Sequence, residues 1–404
     1  MKLKSEEKLS INNLDDGAEA YNDFYASVSV FLRIVSFVFF ATFLIYIVYS
    51  AFVSADVFTY DNFDYVLRNY ALTLSEKQDN SVYAIKYNPD SSRSYGMIGN
   101  KFTLVGNSGI SVYSSTGRLT CSDSFSFKNP IMSTSDKYAL IYDSGSNELI
   151  IYNSFSKVHS QLFDKPIRRA CMAQNGYFAV VTSSDEYNST VEVYNDNFKL
   201  INRFNKSGYV LDADITEERI LVATAKPSVG YDVFEIQILI YDFASQDISC
   251  DTELSASLPL SCKISSSGFY LVCSDEAITY ELNSGKSTTF SYNGSSVSDL
   301  YLTRDYAALL LKTRGYDISY RLVTIDNDAK IVYDYTVGST VYDVVLCGTS
   351  ACLLTEGTIN IFDTDTKSSI LIDGLTSGCQ LLSYDKDTLY LCTESSAPLI
   401  DIRE

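Results

Sequence analysis

The sequence has no tryptophan and a single histidine, His159, among its 404 residues. One histidine removes most familiar metal sites and most Ser/His/Asp arrangements. Its place in KVHSQLF, an expected outer strand, reads as a solvated edge residue. Nine cysteines are present, but none forms a CxxC pair and the number is odd. Most lie in apolar runs such as FYLVCSD and TLYLCTE, which makes them small core residues rather than a disulfide framework or a metal cage. Basic residues are the minority: 31 Lys and Arg stand against 50 Asp and Glu, a net charge of −19. So acidic a surface repels phosphate backbones, so no nucleic acid partner is expected. Proline is scarce at six residues, and no long amphipathic helix is apparent beyond Tyr60.

What is present is first an apolar run. Ile34 to Val53 reads IVSFVFFATFLIYIVYSAFV, twenty residues without a charge, the length a helix needs to cross a bilayer. Val53-Ser54-Ala55 carries small residues that a signal peptidase accepts. The run is nevertheless longer than a signal core and 33 residues precede it, which favours an uncleaved single-pass anchor in the cell membrane. Arg33 abuts one end, with Lys2, Lys4 and Lys8 beyond it, while Asp56, Asp61 and Asp64 follow the other. That asymmetry predicts a cytoplasmic N-terminus and an extracellular C-terminal domain. The expected division is a cytoplasmic tail over 1–25, without regular structure, and a membrane helix over 26–55. A linker over 56–81 follows, with one short helix in FDYVLRNYALTLSE (63–76), and then a β-domain over 82–404.

The β-domain repeats. An alternating apolar stretch followed by a polar turn recurs as GISVYSSTG, ELIIYNSFS, TVEVYNDNF, IQILIYDFAS, AITYELNSG, RLVTIDNDA and TINIFDTDT. Its markers, Tyr113, Tyr152, Tyr194, Tyr241, Glu281, Ile325 and Phe362, are spaced by 39, 42, 47, 40, 44 and 37 residues. A period near 40 with four short strands is that of a β-propeller blade. Seven full blades and one composite blade make eight. In the composite, VYAIKY (82–87) supplies the strand missing from CQLLSYD, TLYLCTE and PLIDIRE, so the ring closes by pairing the two ends of the domain. Seven blades is the alternative, because RSYGMIG is a weak first strand.

The order of a short polar tail, one membrane helix and repeats such as KYALIYDSGSNELIIYN and TINIFDTDT resembles a family of membrane-anchored β-propeller proteins from Gram-positive anaerobes, a domain of unknown function. The resemblance spans nearly the whole chain. It implies an envelope location and carries over no catalytic residue.

Aligning the first strands of the blades puts Asp212, Asp299 and Asp343, from VLD, VSD and VYD, at one channel-facing position, with Arg169 there in the third blade. Such a set can bind a cation or a basic segment; the alternative is that each carboxylate accepts backbone N–H groups from the next blade. The long loops between second and third strands offer Tyr187, Tyr231, Asp232, Arg314, Tyr316 and Asp317 on the same face, residue types that anchor protein interfaces. The turns with Asp326/Asp328 and Asp363/Asp365 begin like calcium loops but lack their glycine and terminal glutamate, so turn chemistry is expected. No metal and no cofactor are expected. The reading is a non-catalytic protein-binding or scaffold module with a partner in the envelope. The alternatives are a hydrolase working with Asp299 and Asp343, or a ligand-binding sensor domain, against which the tail is short for an output domain.

Overall fold

The computed structural model describes residues 12–52, 60–76, 84–88, 93–227, 233–313, 319–363, 368–375 and 380–402. It forms two compact units, Met1–Ala71 and Leu72–Glu404. The first holds α1, Asn12–Phe52, and most of α2, Tyr60–Glu76. Within α1, Tyr25–Ile45 is long and apolar enough to cross a membrane. The helix begins at Asn12, so the expected unstructured tail is helical from that residue. Propagating an existing helix costs far less than nucleating one, and the apolar run supplies the nucleus. The short helix expected over 63–76 is present as α2, three residues longer at its start.

The second unit is an eight-bladed propeller of eight four-stranded antiparallel sheets. Strands are lettered A to D from the channel outwards. The A strands are Arg93–Ile98, Pro130–Thr134, Ile167–Met172, Tyr209–Ile215, Pro259–Ile264, Ser296–Leu302, Val341–Cys347 and Gln380–Ser383, in blades 1 to 8. All seven strands of the sequence repeat are third strands, C, of blades 1 to 7. Blade 8 is composite, as expected. Ala84, Ile85 and Lys86 pair with Pro398, Ala397 and Ser396. RSYGMI does form strand A of blade 1, which settles the count at eight.

The B strands explain why the repeat is so apolar at its centre. Lys101–Gly106, Tyr138–Asp143, Gly268–Cys273 and Ser350–Thr355 are buried at every residue. Each blade is covered on both faces by its neighbours, so alternation gives way to continuous burial. The D strands lie at the rim and alternate between exposed and half-buried, as in Lys286–Ser291. Eight apolar clusters form the core, one between each successive pair of blades. The cluster between blades 8 and 1 joins Ile85, Tyr87 and Tyr390 to Tyr95 and Phe102. Eight described cysteines are free thiols, most of them buried in these layers.

The A–B and C–D turns make the lower face, and the D–A and B–C loops the upper face. In the C–D turns one position is left-handed in blade after blade. Gly117 and Gly285 fill it in blades 1 and 5, and Phe198, Gln246 and Ala329 in blades 3, 4 and 6. The partner strand shifts register there in blades 1, 3, 4 and 6. This is a short hairpin loop closed by a left-handed bulge residue. At Phe198 the strain is offset by packing: its ring lies 4.8 Å from His159 and 5.5 Å from Tyr138.

Candidate functional site: the channel mouth and upper face

The upper ends of the A strands share a feature that strand alternation does not foretell. In blades 3, 4, 5, 6 and 7 the A strand shifts register against strand B at the same place, after Ile167, Val210, Pro259, Val297 and Val341. The extra residues are Arg168, Leu211, Leu260, Ser298 and Tyr342, and all five are exposed. The next residues are Arg169, Asp212, Ser261, Asp299 and Asp343. A bulge places two consecutive residues opposite one and re-aims their side chains. It also withdraws backbone amides from the ladder, and these need other acceptors.

The three aspartates supply them. Each accepts the N–H of its own next residue: Ala213, Leu300 and Val344, at 2.8, 2.8 and 3.0 Å. The second oxygen reaches into the following blade. Asp212 Oδ2 accepts from Cys262 N at 2.8 Å and Ser261 Oγ at 2.9 Å. Asp299 Oδ2 accepts from Val344 N at 3.2 Å, and Asp343 Oδ2 from Leu381 N at 2.6 Å. Asp214 repeats the device one step down its strand, accepting from Ile264 N at 2.9 Å with Lys263 Nζ 3.1 Å away. Of the two expectations for these carboxylates, the hydrogen-bonded clamp between blades is the one the geometry contains.

Their electrostatics differ. Asp212 is 1 % exposed. Burial pushes its carboxyl up, while Arg169, whose Nε lies 2.5 Å away, and the three hydrogen bonds hold it down. Asp299 and Asp343 interact directly, with no cation beside them among the described residues. Burial, and then the charge of Asp299, push Asp343 up to about 7 against the pull of the Leu381 amide. Asp299 is also raised, again chiefly by burial. Two carboxylates on adjacent blades thus each favour the protonated form more than a free aspartate does.

Of the loop candidates, Tyr187 is 42 % exposed. It lines a polar cleft of about 540 Å³ between blades 2 and 3, with Lys165, Asp185, Glu192, Tyr194 and Arg203. Lys165 Nζ lies 2.5 Å from Asp185, and the Tyr194 hydroxyl donates to Glu192 at 2.6 Å. Tyr231, Asp232, Arg314, Tyr316 and Asp317 lie outside the described residues. On the lower face Asp326 Oδ1 accepts from the amides of Asp328 and Lys330, both at 2.9 Å, and the Asp328 carboxylate meets Lys330 Nζ at 2.8 Å. This is turn chemistry, as expected; Asp365 is outside the described residues. His159 sits on the outer strand of blade 2, with Nε2 3.4 Å from Gln161 Oε1.

Two features escaped the sequence reading. One is the bulge, which leaves no composition signal. The other was legible: Ser135, Thr216, Ser265, Thr303 and Asp385 each accept an amide two or three residues on. A Ser, Thr or Asp three residues before the B strand is thus a second mark of the repeat in blades 2, 4, 5, 6 and 8.

Several solved structures share this fold. A computationally designed propeller, Ika8, superposes with a TM-score of 0.61 at 10% identity, covering 80% of this chain and 100% of its own. Sqt1 from Saccharomyces cerevisiae gives 0.55 at 9%, covering 80% and 99%. BamB from Moraxella catarrhalis gives 0.50 at 10%, covering 80% and 99%. At these identities the likeness concerns the fold alone. No curated protein matches the chain in sequence. Residues 75–395 match the model of a family of unknown function, DUF5711.

Proposed function

The chain belongs to DUF5711, and we propose that this member is a single-pass membrane protein whose extracytoplasmic propeller is a non-catalytic module that binds a protein partner at the cell envelope. The observation that carries this reading is the use of the channel residues. Asp212, Asp299 and Asp343 spend their oxygens on amides of their own and the next blade, so they hold the ring together and leave the upper face as the surface on offer. That surface combines variable loops with exposed aromatic and apolar residues, and loops change without disturbing the strands beneath. The charge asymmetry about α1 supports an N-terminus in the cytoplasm. The test is to cross-link intact cells, purify the chain under denaturing conditions and identify what is attached. Recovery of one protein species in excess over an unrelated anchored domain supports the reading. Equal recovery of all envelope proteins overturns it.

One observation favours a second reading. A carboxyl held near pH 7 beside a carboxylate is the pairing that acid–base chemistry uses. On that reading Asp343 donates and Asp299 accepts a proton in a hydrolysis. A hydrolytic activity that disappears in Asp343→Asn, with the fold intact, would establish it.

A further inference from the structure

We propose that the channel mouth on the upper face is the docking site for a partner segment with apolar anchors flanked by lysine or arginine. The inference rests on the protein-binding reading above and gives the partner its chemistry. It starts from the bulge residues. The backbone there accepts any side chain, since Ser298 and Arg168 occupy the position in blades 6 and 3. Blades 4, 5 and 7 instead expose Leu211, Leu260 and Tyr342, at 38 %, 43 % and 53 %. Leu258 and Tyr209, beside two of these bulges, are exposed as well. The three bulge residues occupy the same position at the upper ends of their A strands. The bonds from Asp212 to Ser261 and Cys262 join the residues that follow Leu211 and Leu260 across the boundary between blades 4 and 5. The Arg168 guanidinium lies 5.7 Å from the Tyr209 ring across the boundary between blades 3 and 4. Exposed apolar residues on the outer strands, such as Leu162 and Ile248, stand on different blades of the rim and need no explanation, whereas a cluster at one mouth does.

Charge selects the occupant. In the D–A and B–C loops around this mouth, among the described residues, Asp164, Glu186, Asp275, Glu356, Asp373 and Glu394 are exposed carboxylates. Against them stand the exposed Lys128 and, on the bulge of blade 3, Arg168, while Arg169 is tied to Asp212 and Asp185 to Lys165. An acidic partner meets like charge, and so does a second copy of this chain at a net charge of −19. A basic segment gains attraction from the rim while its apolar side chains cover the cluster.

The experiment uses the full chain in nanodiscs of zwitterionic lipid, with empty discs as the blank. The probe is a fluorescent short peptide of alternating lysine and leucine, compared with the same peptide carrying glutamate for lysine. The lysine peptide is expected to bind above the blank and the glutamate peptide to stay at it. The combined Leu211→Ser, Leu260→Ser and Tyr342→Ser variant is expected to weaken binding at least tenfold, about 1.4 kcal/mol, with an unchanged melting temperature. If that variant unfolds, Tyr342→Ser alone, at the most exposed position, carries the comparison. Undiminished binding by the folded variant, equal binding of the glutamate peptide, or lysine-peptide binding no greater than the blank overturns the proposal. A wild-type chain that cross-links one envelope protein but ignores the lysine peptide leaves the protein-binding reading standing and removes this one.

Discussion

Asp212 and Asp343 hold equivalent places in the A strands of blades 4 and 7, yet they hold their charge in opposite ways. Asp212 has a cation, two backbone amides and a hydroxyl, so removing it strands the amides and the hydroxyl, while Arg169 keeps its water. Asp212→Ala is expected to destabilise the domain by on the order of 3 kcal/mol. Arg169→Ala, whose guanidinium is half in solvent, is expected to cost about 1 kcal/mol or less. Denaturant titration of both variants checks this, and a smaller loss for Asp212→Ala than for Arg169→Ala would be incompatible with the clamp. Asp343 has two backbone amides and, among the described residues, the Asp299 carboxylate in place of a cation. Its folded-state pKa of about 7 lies above its ordinary 3.8, so the folded chain binds the extra proton. The resulting stabilisation is fully present below about pH 4 and is lost as pH rises through about 7. Melting temperatures measured from pH 4 to 8 should therefore show a falling contribution in wild type that Asp343→Asn lacks. An identical slope in the variant would show that Asp343 does not bind the extra proton.

Among the elements, the three-residue strand Ala84–Lys86 does the most for its length. It gives the last blade its outer strand and fills the layer between blades 8 and 1. Tyr87, just after it, stacks on Phe102 at 5.9 Å. Its hydroxyl lies 2.9 Å from the carbonyl oxygens of both Thr393 and Ser396. Tyr87→Ala should destabilise the propeller by about 3–5 kcal/mol, the range for emptying an aromatic core site. A chain that begins at Asp90 should lose the closing strand and melt with a broader, less cooperative transition. A truncated domain with the same calorimetric sharpness as the full propeller would show that closure does not depend on this strand.

The whole molecule joins an apolar helix to a strongly acidic propeller, and the charges flanking the helix predict an orientation. Residues 1–33 are expected inside the cell and residues 56–404 outside. Protease added to wall-stripped intact cells should degrade the propeller and spare an N-terminal tag. Full protection of the propeller would reverse the assignment. The net charge of −19 acts at this scale too: it favours basic partners and makes their association rates fall with salt.

The sequence by itself determined the blades. Alternating strands, polar turns and a period near 40 are local, and a four-strand sheet is a local unit, so Tyr113, Tyr152 and their successors marked every C strand of the first seven blades. It also determined the closure, because VYAIKY and PLIDIRE were the strands without a blade of their own. The tertiary structure alone decided what the channel residues do. Asp212, Asp299 and Asp343 stood in register in the sequence, but whether their oxygens faced a ligand or the next blade depended on amides about 40 to 50 residues away. It also decided which apolar residues reach solvent. Strand alternation sends neighbouring side chains to opposite faces, and only the bulge, which depends on pairing between strands A and B, puts Leu211 beside Asp212 and Tyr342 beside Asp343 at the mouth of the channel.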